Sequence, residues 1–265
     1  NIFIAKYDPD PRTNKKSIKK LKKNNINVYT GITEKETFKL NKFFFKSLIK
    51  KKPFTKVKMA ISYDEKIAWE DYNSKWISNS KSREYAHILR YKSQAILTTS
   101  KTIIKDNPRF TIRRKNKIIK YPPLIILDNF LKIPINSIVL NSLTKRRIII
   151  FTLKNNKKSK YLKKLGCEII YIKNDIKSNL KLNSIFTKLY NIGIRDILVE
   201  AGGILFSELI KHKLVDELHI FKSPIKIGDN GIPLLIKNSI KNLKLLKIDK
   251  KKFGNDDYSN YELKP

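Results

Sequence analysis

The sequence predicts an α/β protein built on a mixed central sheet, and three observations lead there. Apolar runs of strand length recur along 265 residues, at 95–98, 124–127 and 147–152 among others, and they alternate with stretches of helical period. The clearest unit runs helix 179–191, strand 196–200, a Gly202–Gly203 turn and helix 204–212, which calls for parallel pairing through right-handed crossovers. Toward the carboxyl end, residues 217–222, 243–248 and 258–263 read as strands with no helix between them, so the sheet ends in an antiparallel section.

Taken in order, residues 2–5 form a short strand that ends in the turn chemistry of Asp8, Pro9, Asp10 and Pro11. A lysine-rich helix and a strand over 26–29 follow. Phe38, Phe44, Phe45 and Leu48 then fall on one rough helical stripe, predicting a single amphipathic helix over 34–49. Three lysines and Pro53 close it, because the residue before a proline avoids the helical region, and a domain boundary is placed there: 1–52, then 53–265. In the strand 54–62, Phe54, Lys56 and Lys58 share one face and Val57 and Met59 the other, so Lys58 points into a cleft or into solvent. Residues 80–92 are helical, Asp106-Asn107-Pro108 marks a loop, and 157–165 is a helix that Gly166 stops before the strand 168–172.

Composition excludes several function classes. The 58 Lys and Arg against 23 Asp and Glu give +35, which points toward polyanions, but the lysines lie in nearly every segment rather than on one stripe. With Asn and Ile also abundant and only 8 Gly, a codon bias accounts for the charge better than a specific nucleic-acid surface. Interleaved exposed aromatics would be needed for stacking on single strands, whereas Phe44, Phe45 and Phe151 lie on apolar faces. Cys167 is the single cysteine and His87, His212 and His219 are scattered, so neither a disulfide nor a metal site is expected, and a reducing cytoplasm is the natural location. No apolar run approaches the ~20 residues of a membrane helix, and the opening residues lack the pattern of a secretory signal. The chain does not begin with Met, so an upstream segment stays open.

Three segments carry candidate chemistry. In Val199–Leu209, two glycines between strand and helix permit close backbone approach, and the amides of a helix start receive phosphate; a tight packing turn is an equal reading of the same spacing. Glu200, an ionisable group closing an apolar strand, tips the balance toward a ligand site. In 74–90, Trp76 and Ile77 form either a hydrophobic staple or, with Ser74 and Arg90, a ligand wall. In 105–113, Arg113 is able to fork a phosphate.

Together these segments resemble the reductase half of the bacterial bifunctional riboflavin-biosynthesis deaminase/reductase. The resemblance runs in order through PFTKVKMAISYDEKIA (53–68), SKWIS (74–78), AILTTSKTIIKDNPRFTIR (95–113), PLIILDN (123–129), ILVEAGG (197–203) and LVDELHIF (214–221). It implies a dihydrofolate-reductase-like, mostly parallel sheet flanked by helices, preceded over 1–52 by a remnant of the deaminase domain and its linker. It implies reduction of 5-amino-6-(5-phosphoribosylamino)uracil to the ribitylamino compound with NADPH. By position, Lys58 and Glu200 act on the opened ribose and its amine, with Glu200 holding the Lys58 ammonium. Ser74, Arg90, Phe110, Arg113 and Glu200 bind substrate, the arginines as phosphate partners. Ala60, Trp76, Thr102, Asp106 and Asn129 line the cofactor, and Gly202, Gly203, Ile204, Leu205, Phe206, Ser207 and Glu208 take its pyrophosphate. Similar reductases pair as homodimers. The family's deaminase half carries a His and Cys zinc motif that these residues lack, so deamination belongs to a separate chain or an upstream domain. One departure stands out: Glu65 occupies a turn position where the family usually has glycine, so a side chain must accept a glycine-like φ.

Overall fold

A computed structural model describes residues 1–10, 12–71, 77–172, 181–234 and 243–263. Strands β1 (Ile2–Ile4) and β2 (Val28–Thr30) pair in parallel across the intervening α1 (Lys16–Lys23). The single helix expected over 34–49 is two: α2 (Glu34–Leu40) and α3 (Lys42–Lys50). Asn41 breaks it with φ −115° and ψ 29°, and its side-chain amide donates to the Thr37 carbonyl at 3.4 Å, a local bond that competes with helix propagation. The α3 helix buries Phe45 and Leu48 and packs on the main sheet. Its lysines reach the same sheet: Lys42 and Lys46 to Glu262 at 2.9 and 2.6 Å, and Lys50 to Asp216 at 2.7 Å.

The main body continues as β3 (Phe54–Ile61), β4 (Lys66–Ala68), α4 (Ser80–Tyr91), β5 (Ala95–Thr99), α5 (Ser100–Asp106), β6 (Ile112–Arg114), β7 (Lys117–Lys120), β8 (Leu124–Leu127), β9 (Ile148–Thr152), α6 (Lys157–Lys164) and β10 (Glu168–Tyr171). It closes with α7 (Leu182–Asn191), β11 (Asp196–Val199), α8 (Gly203–Lys211), β12 (Glu217–Lys222), β13 (Ile232–Pro233), β14 (Leu245–Phe253) and β15 (Asp256–Leu263). The sheet has the order β10-β9-β8-β5-β11-β3-β12-β15-β14. Pairing is parallel from β10 to β12 and antiparallel at β12–β15 and β15–β14, the mixed, mostly parallel arrangement expected. Gly166 adopts φ +105° just past α6, as its stop position requires.

Alternation within the strands builds the core on both faces. Val57, Leu97, Ile125, Ile149 and Ile197 face Phe186, Phe206 and Leu209 from α7 and α8, while Ile96, Ile126 and Ile150 face Leu162 of α6. Each such side chain, fully buried, contributes about 1.5–3 kcal/mol. Lys56, on the face opposite Val57, is buried too, paired with Asp196 at 2.8 Å. The structure adds elements the sequence pattern did not announce: α5, the β6–β7 hairpin and the β4–β13 pair. Among the described residues no helix is long and apolar enough to cross a membrane.

Candidate active site

The carboxyl ends of β3, β5, β8 and β11 open on one cleft of ≈1770 Å³, where open α/β sheets bind ligands. Lys58 and Ala60 come from β3, Thr102 and Asp106 from α5, Asn129 from the turn just past β8, and Glu200 from the residue after β11. Arg83, His87 and Arg90 lie along one face of α4, Phe110 enters from the segment leading into the β6–β7 hairpin, and Arg113 from β6 itself.

At the floor, Arg90 clamps Glu200: Nε donates to Oε1 at 2.6 Å and Nη2 to Oε2 at 2.9 Å, while Nη1 donates to the Thr111 carbonyl at 2.9 Å. The two side chains are only 15% and 11% exposed. Burial pushes the Glu200 carboxyl up, but the charge and hydrogen bonds of Arg90, together with Lys58, more than offset it and hold it below the usual carboxylate range. Lys58 moves the opposite way: burial lowers its pKa, Glu200 resists, and Arg90 and Arg83 add to the fall. Its Nζ stands 5.8 Å from the centre of the Phe221 ring.

This geometry refines one expectation and corrects another. Arg90 uses one N–H of each guanidinium nitrogen on Glu200 and Thr111, which makes it a strut of the floor and leaves one further N–H on each Nη. Glu200, with both oxygens on Arg90, makes no direct ion pair with Lys58 and acts on it through charge. Phe110 sits at φ +45°, buried, its ring 5.8 Å from the Arg90 guanidinium carbon. Arg113 lines the cleft, with Nε donating to Thr111 Oγ1 at 3.1 Å.

The glycine pair divides the two readings of its spacing. A Cβ on Gly203 would stand 2.5 Å from the Leu234 carbonyl oxygen, so this glycine serves packing. Nothing lies within 4 Å of a Cβ on Gly202, which caps α8 and leaves open space before the helix amides. Ile204, Leu205 and Glu208 line the cleft, but Phe206 does not: the helical period turns it into the core at 1% exposure. Ser207 is also outside the lining. Ser74 and Trp76 lie outside the described residues.

Sequence reading missed three groups here. Arg83 and His87 were legible in principle, standing one turn apart on the predicted helix that carries Arg90. Arg146 gave no local signal: it is buried, and its Nη1 and Nη2 donate to the carbonyls of Phe110 at 3.1 Å and Arg109 at 2.6 Å, fixing the left-handed turn from 36 residues away. Glu65 adopts φ +62°, the glycine-like conformation expected of its turn. Next to it, Asp64 accepts from the amides of Ile227 at 3.0 Å and Gly228 at 2.7 Å, tying the turn to the loop after β12.

Fold and cleft together define an α/β enzyme domain with a charged floor at the ends of its parallel strands. The chain belongs to the RibD C-terminal domain family, whose model matches residues 53–256. It is 33% identical over 260 residues to the riboflavin biosynthesis protein RibD of Aquifex aeolicus (strain VF5), covering 96% of this chain and 69% of that protein. Among solved structures, RibD of Acinetobacter baumannii superposes with a TM-score of 0.86 at 25% identity, over 99% of this chain and 72% of that one. A diaminohydroxyphosphoribosylaminopyrimidine deaminase/5-amino-6-(5-phosphoribosylamino)uracil reductase from Thermotoga maritima gives 0.79 at 27% identity, over 99% and 71%.

Proposed function

We propose that the chain reduces 5-amino-6-(5-phosphoribosylamino)uracil to 5-amino-6-(5-phosphoribitylamino)uracil with NADPH. The observation that carries this reading is the Arg90-locked Glu200 carboxylate with the desolvated Lys58 in its field, at the floor of a cleft large enough for a nucleotide and a second ligand. Membership in the RibD C-terminal domain family and the name of the Thermotoga relative supply the substrate class.

The cleft fits a nicotinamide dinucleotide. Open space at Gly202 admits a phosphate to the start of α8, and Ala60, Thr102, Asp106 and Asn129 line the adjoining walls. NADPH, when bound, supplies the hydride for C1 of the opened ribose, which accepts it only as an sp² imine carbon. The protein's part is to align and to move a proton. Lys58, its ammonium destabilised by burial, is poised to give a proton toward the substrate nitrogen, and fixed Glu200 keeps that ammonium populated. Arg113 offers its guanidinium to the phosphate.

The same reading extends to assembly. Residues 1–52 are the end of a deaminase-type domain and its linker, the enzyme works in the cytoplasm as a homodimer, and a deaminase domain or chain supplies its substrate.

The test is to mix purified protein with NADPH and the deaminated ribosylaminouracil phosphate and follow absorbance of the reduced nicotinamide. Substrate-dependent oxidation, lost in Lys58→Met, is the expected result. Absence of oxidation by the wild-type protein with both ligands bound would overturn it.

A further inference from the structure

His87 is a cleft group with no role in the reading above. It sits on α4 between Arg83 and Arg90 and is half-buried against the hairpin segment. Its Nδ1 receives the backbone N–H of Arg113 at 3.2 Å and lies 3.1 Å from the Thr111 carbonyl. These two contacts make opposite demands. A main-chain N–H cannot move its proton elsewhere, so Nδ1 must present its lone pair; the Thr111 carbonyl is already served by Arg90 Nη1 at 2.9 Å. The ring proton is therefore on Nε2.

The ring is also neutral in the free protein. Burial lowers the His87 pKa to about 4, with Arg90 and Arg113 adding to the fall and Thr111 and Glu200 opposing it. Among the described residues Nε2 takes no hydrogen bond, and it is not one of the enclosed polar atoms left without a partner, so it opens on the cleft. The surrounding charge selects what meets it. Arg90 is neutralised by Glu200, whereas Arg113, whose backbone touches the ring, forms no salt bridge among the described residues. A fixed N–H donor beside an unneutralised guanidinium suits an oxyanion.

We propose that His87 binds the phosphate group of the substrate, donating from Nε2–H in the field of Arg113. This rests on the reductase reading. It makes His87 a binding residue that discriminates phosphorylated from dephosphorylated substrate, with its tautomer set by the Arg113 main chain.

The experiment is a substrate–variant cycle. Wild type, His87→Asn and His87→Gln are compared for KM with the phosphorylated substrate and, by calorimetry, for affinity toward the phosphorylated and dephosphorylated forms. A hydrogen bond to a charged group being lost, His87→Asn should weaken the phosphorylated substrate on the order of tenfold or more. It should leave the dephosphorylated form and NADPH unchanged, and His87→Gln, whose amide reaches as far as Nε2, should recover much of the loss. In parallel, two-bond 1H–15N NMR of the free wild-type protein should report the Nε2–H tautomer. Equal weakening of both forms, no weakening, or an Nδ1–H ring would overturn the proposal. Failure of the wild-type protein to oxidise NADPH with the phosphorylated substrate would instead remove the reductase reading, so the two failures are distinct.

Discussion

Replacing Glu200 by Gln keeps the size of the side chain and removes its charge. Arg90 then holds a guanidinium only 15% exposed, with no carboxylate opposite and with Lys58 still present. Breaking a buried pair by neutralising one member costs about 3–5 kcal/mol, because the surviving charge is stranded. For a chain of this size the fall in Tm is then roughly 6–20 °C. The cost depends on pH in a fixed direction. The folded-state pKa of Glu200 lies below its ordinary 4.5, so its contribution is complete above the unfolded value and is lost as pH falls through the folded one. Thermal melts of wild type and Glu200→Gln at pH 7 should therefore be well separated, and the gap should close as pH falls below 4.5. Adding Arg90→Met to Glu200→Gln should restore part of the lost stability without restoring turnover. Melts at pH 7 that agree within a degree or two would refute the clamp as a stabilising element.

Lys58→Met should lower kcat by about 10²–10⁴-fold, the range of a lost proton donor, while Tm holds or rises because a desolvated ammonium near Arg83 and Arg90 is gone. Steady-state rates and a melt on one preparation check both halves. Glu65→Gly should stabilise by about 0.5–1 kcal/mol, since relief of a left-handed side chain outweighs the entropy of glycine; an unchanged or lower Tm would count against strain at φ +62°. Gly203→Ala forces a methyl to 2.5 Å from the Leu234 oxygen and should cost about 1–3 kcal/mol. Gly202→Ala, with open space around it, should spare Tm and weaken NADPH binding.

The parts of this molecule that were legible in its residues are those whose signal is local. Apolar strands such as Ile148–Thr152 and the stop at Gly166 follow from periodicity and φ preference, and the antiparallel end of the sheet follows from three strands with no helix between them. The break at Asn41 was overridden by the apolar stripe that continues across it, although asparagine is itself a capping residue. At the site, family resemblance pointed to many of the cleft-lining positions, though not to who pairs with whom, and it included Phe206, which the helical period turns into the core. That Arg90 reaches Glu200 depends on where β11 ends relative to α4, a distance in space that spacing along the chain does not encode. Arg146 is the limiting case, since its hydrogen-bond acceptors are backbone carbonyls and carry no side-chain identity to read.

The junction around Leu234 links three stretches of chain. Its carbonyl leaves no room for a side chain on Gly203, its amide donates to the Glu65 carbonyl at 3.2 Å, and Asp64 in the same turn grips the amides of Ile227 and Gly228. Positions 64, 65, 203 and 234 are thus bound into one mechanical unit along the rim of the cleft. Sequence drift at any one of them is constrained by the others: a bulkier residue at 203 would need the 234 backbone to retreat, and that retreat would drag the turn carrying Glu65. The strained glutamate is tolerated because the unit around it is anchored at several points, so a rim of this kind absorbs an unfavourable residue without reshaping the chamber behind it.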